Sequence, residues 1–300
     1  MNGPLKKTAW FIAVTYALSL SLILGFYFSG GRWNTGSAFA VATLYMYIPL
    51  FSALLVQKLV CKSPAREFIF ASFKLNRWFA VAWGLPFILG LLAFVFSLSM
   101  PGVEFSKDLS GLFERLQKTL PSDQVERLRS QMAQLPVSPV LISLFQAVIA
   151  GVSVNALAAF GEEAGWRGFL QNELKQWSFA KSSLFIGVVW GFWHAPIILM
   201  GHNYPEHPFP GVFMMVLLCL FLSPFFSYIR LKSGSTIASA VVHGSFNAVA
   251  GLPLLLIKGG NDLTIGTTGA AGIAALLVID AGILVYDRFF AEEKIIFKPK

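Results

Sequence analysis

The sequence predicts an all-α, polytopic membrane helix bundle of about eight transmembrane helices with both termini cytoplasmic. Three observations carry this. Apolar residues make up 56% of the 300-residue chain and charged residues only 13%, against roughly 25% charged in soluble domains. Apolar runs long enough to cross a hydrocarbon core about 30 Å thick recur along the chain. Basic residues also concentrate in alternate connecting segments, as the positive-inside rule requires.

The runs fall at about 8–28, 37–60, 78–99, 138–161, 182–200, 211–229, 236–257 and 269–287. The first follows a short basic stretch and reads as a true span. It exceeds the roughly 7–15 apolar residues of a signal peptide and lacks an A-x-A cleavage site. With the N-terminus inside, the cytoplasmic segments collect Lys6 and Lys7; Lys58, Lys62, Arg66, Lys74 and Arg77; Arg167, Lys175 and Lys181; Arg230 and Lys232; and Arg288, Lys294, Lys298 and Lys300. These are 16 of the 23 basic residues. The opposite side holds Arg32, Lys258 and five more in segment 100–137, where Glu104, Asp108, Glu114, Asp123 and Glu126 balance them.

Segment 100–137 is the one sizeable stretch outside the membrane. Leu109, Leu112, Leu116 and Leu120, then Val125, Leu128, Met132 and Leu135, recur at helical spacing. They predict an amphipathic, extracytoplasmic helical hairpin broken at Pro121. No internal repeat is present, so residues 1–300 read as one integral-membrane domain. The polar motifs confine its functional core to 138–258.

The net charge of +8 reflects cytoplasmic anchoring rather than nucleic-acid binding, because no Lys/Arg-rich run is present. The 29 Phe and 8 Trp residues suit lipid-facing and interfacial positions. Cys61 and Cys219 lie far apart, with no CxxC and no His/Cys cluster, which argues against a disulfide or a zinc-thiolate site.

Against this apolar background the stretch Gly161-Glu162-Glu163-Ala164-Gly165-Trp166-Arg167 stands out. A charged side chain at membrane depth costs at least about 2.5–3.5 kcal/mol on insertion scales. Glu163 and Arg167 are four apart and share a helical face, so they read as a structural ion pair. Glu162, about 100° round the helix, is left to face a cavity. Two more spans contribute polar groups. His194 lies within Trp190-Gly191-Phe192-Trp193-His194-Ala195-Pro196, near mid-membrane, and His243 and Asn247 share one face of the seventh span. Taken singly, each has a structural explanation: carboxylates capping a span, a hydrogen-bonded core histidine, polar glue between helices. Together they converge in depth, within the cytoplasmic half to the midplane. Gly165, Gly191 and Gly244 beside them would let the helices approach closely. His202 and His207 fall in a polar external loop and read as solvated.

Such a set suits amide hydrolysis. A buried carboxylate can activate water as general base, a histidine can assist it, and a second histidine with Asn can stabilise an oxyanion. Glu162, His194 and His243 could alternatively hold a divalent metal such as zinc, although no H-E-x-x-H pattern is present. No G-x-S-x-G is present either.

Glu-Glu-x-x-x-Arg at 162–167, aromatic-x-x-x-His at 190–194 and His-x-x-x-Asn at 243–247, in that order, resemble the CPBP family of intramembrane proteases. That family includes the type II CAAX prenyl endopeptidases and the abortive-infection or bacteriocin-immunity-like proteins. The likeness covers roughly 138–258. Trp190 stands where the family more often shows Phe. The resemblance implies Glu162 as water-activating base helped by His194, with His243 and Asn247 as the oxyanion site and Glu163 and Arg167 holding the helix and base in place. It implies an endopeptidase that acts on a membrane-embedded or lipid-anchored peptide, with either no required cofactor or a divalent metal such as zinc; the compact chain with short tails reads as a bacterial plasma-membrane protein. Its partners would be the bilayer and that substrate, with no nucleic acid. The alternative function is a non-enzymatic immunity or scaffold protein that binds a bacteriocin or a membrane partner. A proton-coupled transporter is disfavoured by the absence of an inverted repeat.

Overall fold

The computed structural model describes residues 4–297 apart from 34, 63, 65–68, 70–72, 74 and 119. Arg66, Lys74, Lys298 and Lys300, part of the basic pattern above, lie outside the described residues. Seven helices among the described residues are long and apolar enough to span a bilayer, and a bent helix pair makes up to eight. The protein is therefore an all-α, multi-pass membrane bundle.

Helix α1 (Pro4–Phe28) and α2 (Gly36–Val56, prolonged by a π turn at Gln57–Cys61) form the first hairpin. Helix α3 (Arg77–Leu98) starts at Asn76, whose side chain accepts from the Trp78 amide and so satisfies one of the orphan donors of the first turn. The predicted amphipathic hairpin follows as α4 (Ser110–Gln117) and α5 (Ser122–Ala133), with Pro121 at the break. Its apolar stripe closes over Leu109, Phe113 and Val125. Strand β1 (Glu104–Phe105) pairs antiparallel with β2 (Ile257–Lys258), a ribbon that apolar periodicity gives no hint of.

The fourth span departs from the expected 138–161. It consists of α6 (Pro139–Val152) and α7 (Val154–Glu163), bent by 43° at Ser153. Helix α7 runs on through a π segment, Ala164–Leu170, to Gln171–Glu173. Glu162 therefore sits mid-helix instead of capping an end, because the charged residues that seemed to close the span are buried within the bundle.

The fifth span also breaks: α8 (Phe179–Trp193) gives way at His194 to α9 (Ala195–Leu199). Pro196 lacks an amide donor and its ring crowds the carbonyl four residues back, which interrupts the helix there. His194 thus stands at this interruption, within the span Phe179–Leu199. Helices α10 (Pro208–Ser233), α11 (Thr236–Val249), α12 (Leu252–Leu255) and α13 (Ala270–Phe289) complete the chain.

Helix α11 is enclosed by α3, α6, α7 and α10, and α8 lies along α10. In lipid no hydrophobic force draws helices together, so close approach depends on small residues. A Cβ added at Gly244 would fall 2.4 Å from the Ala156 amide nitrogen, at Gly191 2.5 Å from Val216 Cα, and at Gly165 2.4 Å from Pro49 Cβ. These three contacts set the spacing of the helices that carry the polar motifs.

Contacts sort the connecting segments into two ends. One end joins Lys7 to Glu173, Asn76 to the Ser233 carbonyl, and Arg77 to Tyr286. The other joins Trp33 to His202, Lys118 to Glu206, and Asp262 to the loop 206–207. Both termini therefore sit at one end, the end that carries the basic segments, as eight crossings require.

Candidate active site

Glu162, Trp190, His194, His243 and Asn247 all line one cavity of about 290 Å³. Helices α2, α7, α8, α10 and α11 make its walls. Glu162, His194 and His243 are buried, while Asn247 is exposed one turn further out along α11 from His243.

A buried charge cluster forms the inner part of the site. Glu163 Oε1 accepts from Arg167 Nη1 at 2.9 Å and lies 2.9 Å from His243 Nδ1. A carboxylate in an ion pair can only accept, so His243 carries its proton on Nδ1 there. The Arg167 guanidinium lies 4.4 Å from the Trp190 ring centroid and 5.2 Å from that of Phe226. These aromatic faces receive charge that the one carboxylate oxygen does not cover. Glu163 is paired directly with both Arg167 and His243. Charge balance with direct pairing is the condition under which ionisable groups are tolerated in a low-dielectric interior.

Trp190 ties the two halves of the site together. Its Nε1–H donates to Glu162 Oε2 at 2.7 Å, its carbonyl sits 2.8 Å from His194 Nδ1, and its ring centroid is 5.4 Å from that of His243. A carbonyl can only accept, so His194 is protonated on Nδ1 and keeps a lone pair on Nε2. One oxygen of Glu162 is occupied by Trp190 and the other is left for a water.

The π segment Ala164–Leu170 belongs to the site's construction. Such i→i+5 turns occur mostly as local insertions and frequently at functional sites. Here the segment buries Trp166, Arg167, Phe169 and Leu170 completely or nearly so, forming a solid floor beneath the acids. Tyr45 on α2 is the wall residue that sequence reading missed. Its hydroxyl donates to the Trp193 carbonyl at 2.5 Å, holding α2 against the helix break at His194. A tyrosine inside an apolar run gives little signal for such a role.

Of the two loop histidines, His202 departs from expectation. His202 lines the cavity, and its Nδ1 accepts from Trp33 Nε1 at 3.1 Å. Burial pushes its pKa down to about 4. His207 Nδ1 lies 2.6 Å from Asp262 Oδ1, and Asp262 Oδ2 accepts from the amides of Glu206 and His207. His202 is packed because loop 200–208 folds back onto 260–268, whereas His207 keeps 38% of its side chain exposed. Among the described residues no group of three His, Cys, Asp or Glu side chains is placed to hold a metal ion. Glu162, His194 and His243 share a cavity without forming such a ligand set.

Fold and site together define a polytopic membrane protein whose spans enclose a carboxylate, histidine and amide cluster. Residues 137–249 match the model of a protein family described as type II CAAX prenyl endopeptidase Rce1-like, so this core is similar to the CAAX proteases. It is similar to the CAAX prenyl protease 2 of the archaeon Methanococcus maripaludis, with 28% identity over 144 residues, or 46% of this chain and 50% of the relative. The match thus spans about half the length of that relative. The matched core contains Glu162, Glu163, Arg167, Trp190, His194, His243 and Asn247.

Proposed function

We propose that this protein is an intramembrane endopeptidase that hydrolyses a peptide bond of a membrane-embedded or lipid-anchored protein. The observation that carries the reading is the pairing inside one cavity of Glu162, with one oxygen held by Trp190, and His194, with Nε2 unprotonated. The family match over 137–249 supports the same class.

In this mechanism a water lies between the free oxygen of Glu162 and the scissile carbonyl. Glu162 takes its proton as the oxygen attacks, with His194 Nε2 accepting a hydrogen bond from the same water. The carbonyl oxygen becomes an oxyanion. His243 in its imidazolium form, held by Glu163 at Nδ1, offers Nε2–H, and the Asn247 amide offers N–H. The proton on Glu162 then passes to the leaving nitrogen, the C–N bond breaks, and a carboxylic acid and an amine leave. Glu163 and Arg167 touch no reacting atom and act as positioning residues. No step requires a metal.

The test is cleavage of a pool of N-palmitoylated peptides by purified protein in detergent, comparing the unsubstituted chain with Glu162→Gln and His243→Ala at matched folded yield. Glu162→Gln keeps an acceptor for Trp190 but cannot take a proton. Removal of a general base typically costs about 10²–10⁴ in rate. Cleavage that survives Glu162→Gln overturns this reading, and a chelator arm reports any metal requirement. Retention of a cellular phenotype by Glu162→Gln, without cleavage by any form, would favour the immunity or scaffold role.

A further inference from the structure

We propose that a groove between α3 and α13 binds one anionic phospholipid, with an acyl chain lying in the groove and the phosphate held by Arg77 and Lys232. The groove shares no lining residue with the cavity around Glu162, so the site does not depend on the peptidase reading.

The groove has a volume of about 400 Å³. Val81 and Leu85 of α3 form one wall, and Val278, Gly282 and Ile283 of α13 the other. Val278 and Gly282 are exposed, so the groove opens on the flank of the bundle, where a membrane protein meets acyl chains. From Arg77 to Leu85 a helix rises about 12 Å, which carries the groove from the end of the span well into the hydrocarbon layer.

Gly282 keeps the groove open. A Cβ added there would meet nothing within 4 Å, unlike one at Gly165, Gly191 or Gly244, where glycine lets two helices touch. Glycine is a poor helix former, and at this position no close helix contact offsets that cost. What its missing side chain provides is space.

The mouth of the groove is basic. Arg77 begins α3, Lys232 lies in the last turn of α10, and Tyr286 lies in the last turn of α13. The Arg77 guanidinium is 5.8 Å from the Trp78 ring centroid, and its Nη2 donates to the Tyr286 hydroxyl at 3.4 Å. Lys232 Nζ lies 5.9 Å from the Trp78 centroid and 5.6 Å from that of Tyr228, and it donates to the Glu293 carbonyl. Both cations thus stand beside one indole, and neither forms an ion pair among the described residues. Asp287 does not neutralise them. Its oxygens accept from the Tyr228 hydroxyl and from the amides of Ile295, Ile296 and Phe297. Two uncompensated cations above an apolar slot complement a phosphate diester that carries acyl chains, and basic pockets between spans recognise anionic headgroups in this way. A zwitterionic headgroup brings its own ammonium and gains less.

The experiment titrates the full-length protein in a neutral maltoside detergent with dioleoyl phosphatidylglycerol or dioleoyl phosphatidylcholine. Bound lipid is counted by native mass spectrometry and the melting temperature is followed. One phosphatidylglycerol is expected to stay bound and to raise the melting temperature, and phosphatidylcholine at the same mole fraction to do neither. Arg77→Gln combined with Lys232→Gln should weaken phosphatidylglycerol binding roughly thirtyfold, since each cation near an anionic headgroup contributes on the order of fivefold. Gly282→Leu fills the groove, leaves both charges in place and should abolish the bound lipid. Should one variant fold poorly, the other still decides. Equal binding of the two lipids, or phosphatidylglycerol binding unchanged by the substitutions, overturns the proposal. Stabilisation by glycerol phosphate as strong as by phosphatidylglycerol overturns it too, by assigning the cations to a soluble phosphate. So does a dimer in lipid-free detergent that Gly282→Leu dissociates, which would seat a second copy of the chain in the groove.

Discussion

Glu163 and His243 meet across the packed faces of α7 and α11, with Oε1 2.9 Å from Nδ1, eighty residues apart in the chain. The same oxygen accepts from Arg167. One carboxylate thus fixes both the tautomer of a cavity histidine and the position of the Arg167 guanidinium. Glu163 itself does not line the cavity, so the second glutamate of the pair acts through its neighbours.

Loss of that carboxylate should show in stability before it shows in chemistry. Removing one partner of a buried pair costs about 3–5 kcal/mol, because the other charge is left uncompensated. Glu163→Ala is expected to lower the melting temperature in detergent sharply. Adding Arg167→Met to it should recover part of the loss, a non-additivity expected of residues in one network. Simple additivity of the two would mean that the pair is not coupled in the folded protein.

Trp190→Phe probes the hydrogen bond to Glu162. Phenylalanine keeps the aromatic wall beside Arg167 and His243 but removes the Nε1–H. A hydrogen bond to a charged group contributes about 1.5–3 kcal/mol, so peptide cleavage is expected to fall roughly tenfold or more with little change in melting temperature. Unaltered cleavage would show that the indole does not position the carboxylate.

Arg115 fastens the outer hairpin to the bundle. Its Nη2 donates to the Leu254 carbonyl and, at 2.8 Å, to the Ile257 carbonyl, and an added Cβ on neighbouring Gly111 would strike the Ile257 carbonyl oxygen. Arg115→Met and Gly111→Val should each release α4 and α5, raising cleavage of segment 105–135 by an added soluble protease while the membrane-embedded helices stay resistant. Equal protection of all three proteins would place the hairpin's anchorage elsewhere.

His202 gives loop 200–208 a defined pH response. Its pKa is about 4 in the folded protein, below the value of about 6.5 for a free histidine. Between these values the undocked loop binds the extra proton and the docked loop does not, so the docked state weakens as pH falls from about 6.5 towards 4. Hydrogen exchange of the 200–208 amides should quicken across that window, and His202→Gln should flatten the response. An unchanged pH profile in His202→Gln would assign the effect to another group.

The hairpin α4–α5, the ion pair Glu163–Arg167 and the close approaches at Gly165, Gly191 and Gly244 were all legible beforehand, because each depends on spacing within a helix or on the size of a single residue. The breaks at Ser153 and His194 were not. A bent span and a straight one have the same apolar composition, so the window that detects a span cannot place its bend. The acids at 162 and 163 looked like an end for the same reason: hydropathy reads charge as exposure, and only packing against α2, α8 and α11 buries it. The packed state of His202 and the β1–β2 ribbon depend on segments far apart in the chain, which no local pattern connects.

The sequence by itself determined the class of protein and the membrane spans, since the bilayer imposes on every spanning helix a length and an apolarity that are local properties. It also supplied the polar residues that a site needs and the order in which they come. Tertiary structure alone decided that Glu163 and not Glu162 meets His243 and that Trp190 holds Glu162. Those are relations between helices, set by crossing geometry and by where small residues let backbones touch, and periodicity along one chain carries no information about the rotation of one helix against another.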